Sequence, residues 1–165
     1  MASQGNEQLF KGIPNLQDAF VVIIKTAWNA KWVDAMEKSC KKVLKANGVK
    51  SISIAVPGAV EIPFAIKQHY SYTQGKNIPD AYIALGTVIQ GDTPHFDYVC
   101  KYATEGILQL NLSMDVPTIM GILTVNNEEQ LKERVGGKHG NKGEEFALTA
   151  LQMVAMNRKM IAGWK

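Results

Sequence analysis

Cysteine is scarce: Cys40 and Cys100 are the only two in 165 residues. They stand far apart with no second cysteine near either, which excludes a CxxC pair and a disulfide scaffold and makes a reducing cytoplasm the expected compartment. Long apolar runs are missing as well. Nothing approaches the roughly 18 uninterrupted apolar residues needed to span a bilayer, and the opening MASQGNEQLFKG is polar without an apolar signal core. No membrane partner is expected. Nor is charge of one sign concentrated: the formal net charge is +3, and the lysines are spread along the chain apart from short groups such as Lys41-Lys42. The electrostatic footprint of a nucleic-acid binder is therefore lacking.

The histidines His69, His95 and His139 are distant from one another, with no HxxxH or Cys-His spacing, so no metal is expected. No GxGxxG follows the first apolar burst, where Thr26-Ala27-Trp28-Asn29 stands instead, so no dinucleotide cofactor is expected. Lys142 is followed by Gly143 where a phosphate loop would carry a hydroxyl for magnesium.

With 46% hydrophobic and 20% charged residues, the composition is that of a globular protein. The length fits one domain over 1–165 that builds a core without covalent staples. Apolar bursts rich in β-branched residues at 19–24, 52–56, 81–85 and 117–123 read as buried strands. Helical periodicity fills the gaps, predicting helices over 30–46, 61–73, 96–111, 127–134 and 143–160. On the first of these Trp32, Ala35, Met36, Val43 and Leu44 share a face, and Asn47-Gly48 stops it. Alternating strands and helices make an α/β fold with a parallel sheet covered on both faces. In such sheets ligands bind beyond the carboxyl ends of the strands.

Those places hold the chemistry-bearing residues. Gly86 through Phe96 leaves a strand, turns through glycine and enters a helix, a geometry that offers backbone N–H groups to an anion. Asp92 or Thr93 could equally cap that helix, with Pro94 at its first position. His95, in the first turn at the positive helix end, is expected to stay neutral and able to accept a proton, or else only to hydrogen-bond the turn. Arg134, just before the glycine-rich 136–143 stretch, and Lys142 within it offer fixed positive charge to a phosphate or to solvent. Glu61 opens a helix after Val56-Pro57-Gly58-Ala59, and Trp28 could stack on a planar heterocycle or serve as packing.

Taken together, Trp28-Asn29, Val56 through Pro63, Gly86 through Cys100 and Gly136 through Gly143 closely resemble the lumazine synthase family, in order, from about residue 19 to residue 157. The resemblance implies a flavodoxin-like three-layer sandwich around a four-stranded parallel sheet, with an N-terminal arm (1–18) adding a strand to the neighbouring subunit. It also implies a homopentamer with active sites between subunits. The compact Gly136–Gly143 linker suggests further assembly into a sixty-subunit icosahedral cage, and riboflavin synthase is a possible partner.

The implied activity is formation of a ribityl-lumazine from a ribitylamino-pyrimidine and a four-carbon sugar phosphate. Carried over by motif, Trp28 and Asn29 meet the pyrimidine, Gly58, Ala59, Val60 and Glu61 hold the ribityl chain, and Thr87, Val88 and Ile89 contact the pyrimidine edge. Gly91, Asp92 and Thr93 cradle phosphate with Arg134 as counter-charge. His95 transfers protons, and Met120 and Lys142 close the pocket from the neighbour. Three positions depart from the pattern: Gln90 replaces a basic residue, and Val60 and Met120 replace aromatics. A non-catalytic lumazine- or flavin-binding protein on the same scaffold would need Trp28 but neither Arg134 nor His95. A pentameric riboflavin synthase would share the fold but take two lumazines.

Overall fold

The computed structural model describes residues 16–73, 75 and 77–163. Strands β1 (Phe20–Thr26), β2 (Lys50–Val56), β3 (Ala81–Ile89) and β4 (Thr118–Val125) form one parallel sheet in the order β2-β1-β3-β4. Helices α1 (Ala30–Ala46), α2 (Ile62–Tyr72), α3 (His95–Ser113), α4 (Glu128–Arg134) and α5 (Lys142–Ile161) alternate with them, α2 following a 3₁₀ turn at Ala59–Glu61. This is the expected α/β arrangement. Of the expected N-terminal arm, residues 1–15 lie outside the described residues.

The central strands are apolar without alternation because both faces are covered. On one face Val21, Ile23, Ile83 and Leu85 pack with Val33, Met36 and Cys40 of α1 and Leu148 and Leu151 of α5. On the other, Val22, Ile24 and Tyr82 pack with Ile62 and Ile66 of α2 and Ala103 and Ile107 of α3. Each fully buried aliphatic side chain contributes about 1.5–3 kcal/mol relative to exposure, so two such layers hold the sheet rigidly under the loops that leave it. Gly48, at φ 75, supplies the left-handed residue past α1, as the Asn47-Gly48 pair predicted.

Three details differ from the sequence expectation. The third strand does not end at the glycine: Gly86, Thr87, Val88 and Ile89 continue it, paired with Ile122, Leu123, Thr124 and Val125. The glycine-rich stretch folds as a small antiparallel hairpin, β5 (Val135–Gly137) with β6 (Gly140–Asn141). Pro94 occupies the N-cap position of α3 at φ −61, and no side-chain hydrogen bond caps the helix. Asp92 and Thr93 are thus loop residues, because the proline itself already has helical geometry.

Candidate active site

Because β1 lies between β2 and β3, the segments leaving these three strands emerge side by side. The first is tied to the second by backbone bonds from Ala27 N–H to the Val56 carbonyl (2.7 Å) and from Trp28 N–H to the Pro57 carbonyl (3.1 Å). Asn29 adopts a left-handed conformation, φ 58, which asparagine tolerates. It turns the chain into α1 and brings its side-chain amide to 3.4 Å from the Thr87 carbonyl. In the second segment the Glu61 carboxylate accepts a hydrogen bond from Gly58 N–H at 2.9 Å, closing the 3₁₀ turn. The third is anchored where Gln90 N–H donates to the Val125 carbonyl at 2.8 Å.

Between them lies a cavity of about 510 Å³. Trp28, 71% exposed, presents its indole to it. Asn29 and the run Gly58, Ala59, Val60, Glu61 form one wall, and Thr87, Val88 and Ile89 form another. Gly91, Thr93 and His95 stand at its α3 end, His95 opening the helix. The Thr87 hydroxyl is buried in this wall and has no hydrogen-bond partner among the described residues.

Twelve expected site residues thus surround one cavity; four others do not line it. Asp92 is exposed in the loop between Gly91 and Thr93. Met120 lies on β4 beside a second concavity with Met114 and Met153. Arg134 ends α4, donating to the Gln130 carbonyl (2.9 Å) beside Glu133 (3.8 Å). Lys142 opens α5, paired with Glu145. Conversely, Thr26, Phe96 and Val99 line the cavity without having been singled out. For the last two a signal existed, since residues three apart after His95 share a helix face. Thr26 offered none beyond its place at a strand end.

Among the described residues no group of three His, Cys, Asp or Glu side chains could hold a metal ion, and no helix is long and apolar enough to cross a membrane. Cys40 and Cys100 are free, and burial pushes the Cys40 thiol up to about 12, far from thiolate chemistry. His69 is engaged elsewhere, its ring 2.8 Å from the Tyr82 hydroxyl near the start of β3.

Comparison with known proteins adds to this geometry. Residues 18–158 match the family described as 6,7-dimethyl-8-ribityllumazine synthase. The chain is 40% identical to the protein of that name from Parabacteroides distasonis over 152 residues, covering 90% of this chain and 92% of that one. It is 44% identical to the one from Bacteroides fragilis over 135 residues (80% and 92%) and 39% identical to the one from Christiangramia forsetii over 164 residues (96% of each). A cavity at the carboxyl ends of a parallel sheet, formed by three of the four segments that carry the motifs, together with these matches along nearly the whole chain, makes this protein a member of the 6,7-dimethyl-8-ribityllumazine synthase family.

Proposed function

We propose that this protein condenses 5-amino-6-ribitylaminouracil with 3,4-dihydroxy-2-butanone 4-phosphate to 6,7-dimethyl-8-ribityllumazine, a step of riboflavin biosynthesis. The observation that carries this reading is the single cavity in which a family member gathers an exposed indole, a carboxylate-closed turn and a histidine at a helix start. Trp28 stacks on the pyrimidine, and Thr87, Val88 and Ile89 meet its edge. Asn29 meets the pyrimidine beside Trp28, and Gly58, Ala59, Val60 and Glu61 follow the ribityl chain. Gly91, Asp92 and Thr93 receive the phosphate of the second substrate, with the helix start behind them.

The substrates already contain the reactive groups. The pyrimidine amine adds to the ketone and water leaves; phosphate is eliminated from the four-carbon unit; the ribityl-bearing nitrogen closes the ring and a second water leaves. Holding both reactants together can contribute roughly 7–11 kcal/mol in well-aligned cases. His95 moves the protons that these eliminations require, and no cofactor is needed.

Arg134, Met120 and Lys142 complete the site from the adjoining subunit of a homopentamer. In favour of this is their position away from the cavity of their own chain, on α4, β4 and α5. The short hairpin β5–β6 fits further assembly into an icosahedral cage, in which riboflavin synthase would be the natural companion. The free cysteines suit a cytoplasmic location.

The test is lumazine formation, followed by absorbance and fluorescence with phosphate release in parallel, after mixing the protein with both substrates. Rapid formation in the unaltered protein, lost in Arg134→Ala, is the expected result. Tight binding of lumazine or riboflavin without acceleration above the uncatalysed mixture would overturn it in favour of a binding protein.

A further inference from the structure

Thr26 is the last residue of β1 and 1% exposed, so it offers almost no surface to a ligand. Its hydroxyl donates to the carbonyl oxygen of Trp28 at 3.1 Å, across the turn that leaves the strand. Its methyl group is wedged against β3: a Cβ on Gly86 would lie 2.9 Å from Thr26 Cγ2 and 3.4 Å from Oγ1. Only a glycine in that strand position leaves room for the threonine beside it. The threonine is thereby held with its hydroxyl turned toward the loop.

The indole of Trp28 lies over Gly58, where an added Cβ would approach its ring to 3.3 Å. Backbone bonds fix the Ala27 and Trp28 N–H groups, and the Thr26 hydroxyl fixes the Trp28 carbonyl on the other side of the residue. With both ends held, the backbone from which the ring projects is fixed, and the ring rests against Gly58 although the residue is 71% exposed. A stacking ring that is already oriented loses less freedom when a flat ligand binds.

We propose that Thr26 is the positioning residue of the heteroaromatic subsite: wedged against Gly86, it holds the Trp28 carbonyl and so presets the indole for stacking. This rests on the functional reading above. Thr26 borders the cavity but is 1% exposed, and its hydroxyl is spent on the Trp28 carbonyl, so it acts through Trp28.

The test compares Thr26→Val, which keeps the shape and deletes the donor, with Thr26→Ser, which keeps the donor. Thr26→Ala is the second donor deletion should valine not fold. Two quantities are measured in the whole assembled protein: KM for each substrate varied separately, and Kd for 6,7-dimethyl-8-ribityllumazine by titration. Removing this one hydrogen bond should raise the pyrimidine KM and the lumazine Kd together by roughly three- to tenfold, with the sugar-phosphate KM and the melting temperature little changed and Thr26→Ser, which keeps the donor but loses the methyl wedge, affected less than either deletion. Unchanged lumazine Kd in the donor deletions would overturn the proposal. So would a parallel loss for both substrates and stability, or failure of both deletions to fold, since Thr26 would then serve the core. Lumazine binding keeps the two readings apart, because it reports on the ring whether or not the unaltered protein turns over.

Discussion

The Glu61 carboxylate and the Gly58 backbone N–H are joined by a 2.9 Å hydrogen bond that closes the turn beneath the Trp28 ring. Glycine is needed at residue 58 for space, since an added Cβ would stand 3.2 Å from Glu61 Oε2 and 3.3 Å from Trp28 Cε3. Gly58→Ala is therefore expected to shift the indole and weaken lumazine binding by roughly three- to tenfold. The melting temperature should move by no more than about 4 °C, the shift that roughly 1 kcal/mol produces in a chain of this size. Titration with lumazine and a thermal melt decide it; unaltered affinity would mean that the ring is free to move aside.

His95 stands at the α3 end of the cavity, exposed and without a role in packing. Replacing it by alanine should slow turnover about a hundredfold or more yet leave measurable lumazine formation, because positioning of the two substrates persists. Steady-state rates of the assembled variant are the measurement. Complete loss of activity there would contradict a mainly positioning mechanism.

Glu37 of α1 lies among Lys25 of β1, Lys41 one helical turn on and Ser53 of β2. Partial burial pushes its carboxyl up, but hydrogen bonds from Lys25, Lys41 and Ser53 together outweigh this and hold it at about 2, below its ordinary 4.5. A depressed carboxyl contributes stability that is present above about pH 4.5 and drains away as pH falls toward 2. Glu37→Gln should cost on the order of 1–2 kcal/mol at neutral pH, with the difference from the unaltered protein shrinking across that acid range. Denaturant unfolding at pH 7 and pH 3 measures it, and a constant difference would show that the charge is not what matters.

Gly143, in the first turn of α5, touches α1 directly: an added Cβ would lie 2.1 Å from the Met36 carbonyl oxygen, an atom of helical backbone that cannot swing aside. Gly143→Ala should force the two helices apart at a cost of about 3 kcal/mol or more. Gly91→Ala, where nothing lies within 4 Å of the new atom, should leave stability nearly unchanged and serves as the comparison. Chemical denaturation of both variants gives the answer.

Much of the architecture was legible because it is written in local patterns. The four apolar bursts are strands and the five stretches of helical period are helices. The continuation of β3 through Gly86-Thr87-Val88-Ile89 was not legible, because a glycine and a threonine become strand only by pairing with Ile122 through Val125 of β4. The hairpin of Val135–Gly137 with Gly140–Asn141 likewise depends on pairing across a turn. Thr26 escaped notice for a related reason: its partners are one loop residue and a glycine sixty positions away, and neither marks it locally.

From sequence alone came the order of elements and the positions of Trp28, Glu61, His95 and Arg134 at strand or helix ends, since periodicity, glycine and proline act within a few residues. Which of those ends meet was decided by tertiary structure. The strand order β2-β1-β3-β4 sets β1 between two strands distant in the chain, so the segments after Thr26, Val56 and Ile89 converge on one cavity. The same order leaves Met120, Arg134 and Lys142 outside it. Long-range packing of apolar faces selects that order, and no local pattern encodes it.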